Sequence, residues 1–274
     1  MALRGDATAA GVQRWAPRWW AVFLVGVALW LATVGVAGLT RNLILLPMVV
    51  LLGSFLVPVT AVVWYLDHDS SPELSPRRIL SAFLIAGVLG VLGASVLEYY
   101  LISVGLLGTL EVGLIEEAIK AVLIYVMAWG IRSFHLRDGM VLGATVGFGF
   151  AALESSGYAL ASLFVVYQHR LYLSLDGVVV TELIRGVLAP FGHGAWSAVV
   201  GGAIFGAARA RGHLTLRWRI IGALILVAVL HAIFDSLNGI TGYVVIAIVG
   251  LIPVVLLWRR GRREDLATPA SYLR

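Results

Sequence analysis

The sequence predicts an all-α fold: a polytopic transmembrane helical bundle of about eight spans with both termini cytoplasmic. Three observations predict it. The 274 residues are 60% hydrophobic and only 13% charged, with a mean hydropathy of +0.95; an average soluble domain is about 25% charged. Apolar runs of about 20 residues, the length of one bilayer crossing, recur along the whole chain. The arginines gather in short clusters between those runs, and Lys120 is the only lysine.

Residues Met1 to Arg18 are polar and basic and read as a cytoplasmic tail, followed by one helical domain over 19–258 and a second cytoplasmic tail over 259–274. The first apolar run, Trp19 to Leu39, is long enough to span and stay, and no small-residue cleavage site marks a removable signal peptide. Span two is Leu43 to Leu66. The prolines and serines of the linker from Asp67 to Arg78 forbid a continuous helix. Span three is Ile79 to Leu97, with Tyr99 and Tyr100 as interfacial aromatics. Spans four and five are Leu110 to Trp129 and Gly139 to Val166, and the segment from Gln168 to Thr181 reads as an outer loop or an interfacial helix. Span six is Ile184 to Ala208, span seven Trp218 to Leu237, and span eight Ile240 to Trp258.

The arginine distribution tests this count. With the N-terminus inside, every inner segment is richer in arginine than every outer one, as the positive-inside rule demands. The balance of +5 is therefore a topology signal, and no nucleic-acid partner is expected. Cysteine is absent, which excludes disulfides, thiol nucleophiles and thiolate metal sites.

Polar groups inside the spans carry the chemistry. A charge at the centre of a spanning helix costs about 3 kcal/mol on insertion scales, so such groups are functional candidates. Four groups occur, all in spans four to seven: Glu116 and Glu117 with Lys120; Glu154; His193; and His231 with Asp235. At 1.5 Å per residue, in helices of alternating direction, each lies roughly 8–13 Å below the outer membrane edge. One layer in the outer half of the bilayer is the expected site, within a catalytic core of about 110–239.

Lys120 is four residues from Glu116 and three from Glu117, so it can neutralise one carboxylate and leave the other available. Adjacent helical residues diverge by about 100°, so only one of the two glutamates is expected to face the site. Glu154, His193 and His231 make a three-ligand set for zinc with one position left for water. A glutamate at 116 or 117 would then take the water's proton, and Asp235 would orient His231. A metal-free mechanism, with Glu and His activating water directly, uses the same residues. Glu98, Glu111, Glu182 and Arg185 read as solvated interfacial groups. Thr145, Ser155, Ser156 and Ser197 read as bonded to their own helix backbones.

Taken in order, these motifs resemble those of the PrsW family of intramembrane proteases, which is related to the type II CAAX prenyl endopeptidases. They are Glu116-Glu117-Ala-Ile-Lys120, Phe150-Ala-Ala-Leu-Glu154, His193-Gly-Ala-Trp-Ser197, and His231-Ala-Ile-Phe-Asp235. Ser155 stands where that family often has Asn, and Phe234-Asp235 where it often has Trp-Asn. The resemblance implies a bacterial multi-pass enzyme of the cell membrane that cuts membrane proteins, with single-span anti-sigma factors cut on their outer side as the known theme. Two readings of another class stand beside it. A proton- or ion-coupled transporter would use the same buried Glu, Lys and His groups as a relay, although no internal repeat or broken-helix pair supports it. A non-catalytic scaffold would bind a transmembrane partner without cutting it.

Overall fold

The computed structural model describes residues 18–68, 71–102, 108–188, 191–237 and 239–266. The expected N-terminal tail up to residue 17 and the last eight residues of the expected C-terminal tail lie outside them. The described chain is helical apart from one short hairpin. The helices are α1 (Trp19–Thr40), α2 (Leu46–His68), α3 (Pro76–Ser81), α4 (Gly87–Leu101), α5 (Gly108–Met127), α6 (Leu136–Ser162), α7 (Leu175–Leu188), α8 (His193–Arg209), α9 (Trp218–Ser236) and α10 (Ile240–Leu266). A single π-helical turn at Ala82–Ala86 joins α3 and α4 into one 26-residue rod.

Local chemistry explains several boundaries. Arg41 ends α1 in the left-handed region, and its N–H returns to the Ala37 carbonyl. Ser75 caps α3 by accepting from the Arg78 N–H at 3.3 Å, with Pro76 filling the first turn where no N–H is needed. Among the described residues, seven helical segments are long and apolar enough to cross a membrane, with α7 and α8 forming one of them. Helix α5 carries four charged side chains and makes the same traverse by its packing. It runs antiparallel to α9, tied by Thr109 to Ser236 at one end (3.0 Å) and by Tyr125 to the Thr215 carbonyl at the other (2.9 Å). The protein is a multi-pass membrane protein.

The basic clusters meet at one end of the bundle. There Arg78 donates to the carbonyls of Met127 and Trp129, Arg209 pairs with Glu264, and Arg137 pairs with Asp265. These last two contacts carry α10 past Trp258, where a tail was expected to begin, on to Leu266.

Glycines set the central packing. Gly139, Gly143 and Gly147 of α6 form one face at four-residue spacing. A side chain at any of them would collide with α8 backbone, at Gly201, Ser197 and His193 respectively. The two helices therefore lie in backbone contact over two turns, the arrangement small residues permit in membranes. On another face of α6, Gly149 meets the Phe83 carbonyl at the π-helical turn.

Two expectations are corrected here. The segment from Gln168 to Thr181 is part hairpin and part helix, so neither reading alone describes it. Span five ends at Ser162, and an antiparallel hairpin of β1 (Phe164–Tyr167) and β2 (Arg170–Leu173) follows, with Gln168 and His169 turning at positive φ. Span six does not run unbroken from Ile184. Its first described part is α7, from Leu175 to Leu188, and the non-helical Gly192 separates this from α8, which begins at His193.

Candidate metal and catalytic centre

Four elements bring the predicted polar residues together. Helix α5 packs on α9 through Gly113, where an added side chain would meet the Ala228 carbonyl at 2.7 Å and the His231 Cβ at 3.3 Å. That close approach sets Glu116 and Glu117 beside His231. The α6–α8 glycine contact ends at Gly147 against His193, so the imidazole leaves the first residue of α8 at the level of Glu116. The break between α7 and α8 therefore falls at the level of the site.

Lys120 sits at the centre, buried. Its Nζ is 2.8 Å from Glu117 Oε1, 3.1 Å from Glu116 Oε2, 2.8 Å from His193 Nδ1, and 4.0 Å from the Phe150 ring centre. Both glutamates face inward, contrary to the expectation that only one would. On a helix Lys120 lies about 40° from Glu116 and about 60° from Glu117 in projection, between the two. Long side chains on either flank can then converge on its ammonium.

His231 Nδ1 is 3.1 Å from Glu117 Oε1, while its Nε2 faces Asp235 Oδ2 at 3.4 Å and Glu116 Oε2 at 3.7 Å. His193 Nε2 is 2.9 Å from Glu154 Oε2, and its Nδ1 is 3.8 Å from Glu116 Oε2. Trp196 packs on His231 with ring centres 4.8 Å apart, and the two imidazoles stand edge to face at 5.1 Å. Each ring thus has both nitrogens directed by named partners, and its plane fixed by aromatic contact.

Arg185 is the residue that sequence reasoning missed. It was placed at a solvated interface, yet its Nη2 is 2.5 Å from Glu154 Oε2 and its Nε donates to Ser155 Oγ at 2.8 Å. Ser155 therefore serves Arg185 and not its own helix. The signal was an arginine inside the apolar stretch before His193, hidden by drawing the span boundary at Ile184. Glu182, also expected in solvent, is buried and accepts from Ser54 at 2.8 Å. Ser197 Oγ is buried with no hydrogen-bond partner among the described residues, whereas Thr145 and Ser156 bond their own helices as expected.

A cavity of about 430 Å³ reaches this cluster from the end of the bundle away from the arginine clusters. Glu154, His193 and Asp235 form part of its wall, with Arg185, Tyr158 and Tyr243 beside them. Glu116, Glu117, Lys120 and His231 lie behind that wall.

The donor set fits a metal ion. Glu116, Glu117, His193 and His231 each offer one ligand atom, all within 4.8 Å of one another. Two imidazoles and two carboxylates are nitrogen and oxygen donors of the kind zinc accepts. Glu117 Oε2 is buried with no partner among the described residues, so one carboxylate oxygen is still available. Four carboxylates against Lys120 and Arg185 leave a formal charge of −2 with neutral imidazoles, which a divalent cation would balance. Glu154 stands outside the four-residue group, held by Arg185 and by the far nitrogen of His193.

Comparison with known proteins agrees with the motifs. No curated protein and no solved structure matches the chain. The family model described as PrsW family intramembrane metalloprotease matches residues 75–258, a stretch that takes in every residue of this cluster. With two thirds of its length matched, and with buried glutamates and histidines able to hold a metal where that chemistry needs them, the chain belongs to the PrsW family of intramembrane metalloproteases.

Proposed function

We propose that this protein is an endopeptidase that hydrolyses a peptide bond of a membrane protein within the bilayer, with zinc as its metal. The observation that carries the proposal is the cavity that ends on His193 and Glu154, directly in front of the buried Glu116, Glu117 and His231. A transporter would need a path continuing past the cluster. The lining of the cavity includes Trp196 and Phe234 and none of Glu116, Glu117, Lys120 and His231.

His193, His231 and the Glu116–Glu117 pair hold the metal in this reading. Such an ion lowers the pKa of a bound water and polarises a carbonyl. The remaining roles belong to the chain. Lys120 keeps the two carboxylates together and fixes their rotamers. Asp235 orients His231 through Nε2, as a carboxylate partner does for a ligating histidine. Glu154 faces the cavity from a position fixed by Arg185, where it can accept a proton from an attacking water. This exchanges the roles expected from the sequence: Glu116 faces both imidazoles and takes the ligand position first given to Glu154, and Glu154 takes the position of base.

The substrate is a membrane protein whose segment enters between α7 and α9, and a single-span anti-sigma factor fits that class. With the arginine-rich end in the cytoplasm, both termini are cytoplasmic and the cavity opens toward the outer half of the bilayer. In proteoliposomes with a fluorescent single-span substrate, the native protein should release a soluble fragment and Glu154→Gln should not. Retained cleavage by Glu154→Gln would remove Glu154 from the mechanism.

A further inference from the structure

A second cavity, larger than the one at the cluster, is remote from it. It measures about 620 Å³ and lies between α8, α9 and α10 at the arginine-rich end. Its floor consists of small residues, Gly202, Ala203 and Gly206 of α8 with Gly222 and Ala223 of α9. Pro253, Leu256 and Leu257 of α10 form the opposite wall. The groove is open at Gly222, where a Cβ would meet no described atom within 4 Å, while Met140 and Leu257 lie over Gly202. Three arginines, Arg217, Arg219 and Arg260, stand on its rim.

The rim is short of negative charge. Arg260 pairs with Glu264 at 2.8 Å, but Glu264 also serves Arg209. Arg219 lies over the Trp218 ring, 5.5 Å from its centre, and has no carboxylate within ion-pair distance among the described residues. Arg217 has none either, and it stands at the cap position of α9 with its side chain exposed. An apolar slot open to the bilayer, ending in unneutralised guanidinium groups, matches one molecule: a lipid with an acyl chain for the slot and an anionic phosphate for the rim.

We propose that this groove is a binding site for an anionic glycerophospholipid from the leaflet at the arginine-rich end. The acyl chain lies along Gly206 and Gly222 against Leu257, and the phosphate accepts from Arg217 and Arg219. Basic pockets between transmembrane helices bind acidic headgroups in this way. Arginine suits the role because its planar fork can give two hydrogen bonds to one phosphate. The groove touches neither the cluster nor its cavity, so the inference is independent of the proteolytic reading.

The test is native mass spectrometry of the full-length protein, delipidated in detergent and mixed with equal amounts of phosphatidylglycerol and phosphatidylcholine of identical acyl chains. The native protein should retain phosphatidylglycerol in preference, by roughly fivefold for each arginine engaged. Arg217→Gln with Arg219→Gln should bring the ratio to about one while lipid of either kind still binds. Gly222→Phe, which fills the slot, should abolish retention of both lipids with the helical circular dichroism unchanged. Equal retention of the two lipids by the native protein would overturn the proposal. So would a native dimer without lipid, which would assign the groove to a second copy of the chain.

Discussion

Arg185 Nη2 lies 2.5 Å from Glu154 Oε2, and the same carboxylate oxygen lies 2.9 Å from His193 Nε2. One guanidinium on α7 thus fixes a cavity-facing carboxylate on α6, which in turn directs an imidazole on α8. Removing Arg185 should misplace Glu154 while leaving Glu116, Glu117, Lys120 and His231, none of which it contacts, in place. Partners of this kind typically contribute about 10–100-fold to activity or metal affinity. Arg185→Met should lower kcat by about that factor, with metal content unchanged, and Arg185→Lys should recover part of the loss. The measurements are cleavage kinetics in proteoliposomes and metal analysis on the same samples.

The metal claim has its own check. Purified native protein should carry about one metal ion per chain, and His231→Ala should carry almost none. A strong chelator should inactivate the native enzyme, with recovery on adding zinc. Full activity after complete metal removal would favour the direct Glu and His mechanism.

Lys120 holds two buried carboxylates, with both of its partners almost fully enclosed. Truncation to Lys120→Met leaves two buried charges without their cation. Breaking a buried pair in this way costs about 3–5 kcal/mol. The variant should melt well below the native protein when metal-free, and bound metal should restore part of the difference. Thermal unfolding with and without zinc measures both.

The α6–α8 contact yields a structural prediction. A side chain at Gly143 would collide with the Ser197 carbonyl, whereas one at Gly157 meets nothing within 4 Å. Gly143→Ala should destabilise by about 1–3 kcal/mol through overpacking. Gly157→Ala should be neutral, or stabilising by up to about 1 kcal/mol through helix propensity. Because α8 carries His193, the first variant should also lose activity beyond its loss of folded protein.

Much of this architecture was legible in the sequence. Apolar length gave the spans, and alternating helix direction put Glu116, Glu117, Lys120, Glu154, His193, His231 and Asp235 at one level, where they meet. What escaped were features decided by contacts distant in sequence. Arg185 and Glu154 are 31 positions apart, and no periodicity reports such a pair. Glu182 looked solvated because hydropathy assigns charges near span ends to the interface, yet Ser54 on α2 gives it a partner. The inward turn of both Glu116 and Glu117 escaped because backbone angles ignore the reach of long side chains toward a shared ammonium. The break at Gly192 escaped because the apolar run continues on both sides of it and the composition masked the stop.

The most direct measurement compares ectodomain fragments released from host membranes carrying the native protein with those carrying Glu116→Gln and Glu117→Gln together, at matched expression. The account predicts fragments present only with the native protein, with new termini at the depth of the outer leaflet. Identical fragments from both strains would contradict the assignment of the buried glutamate pair to catalysis.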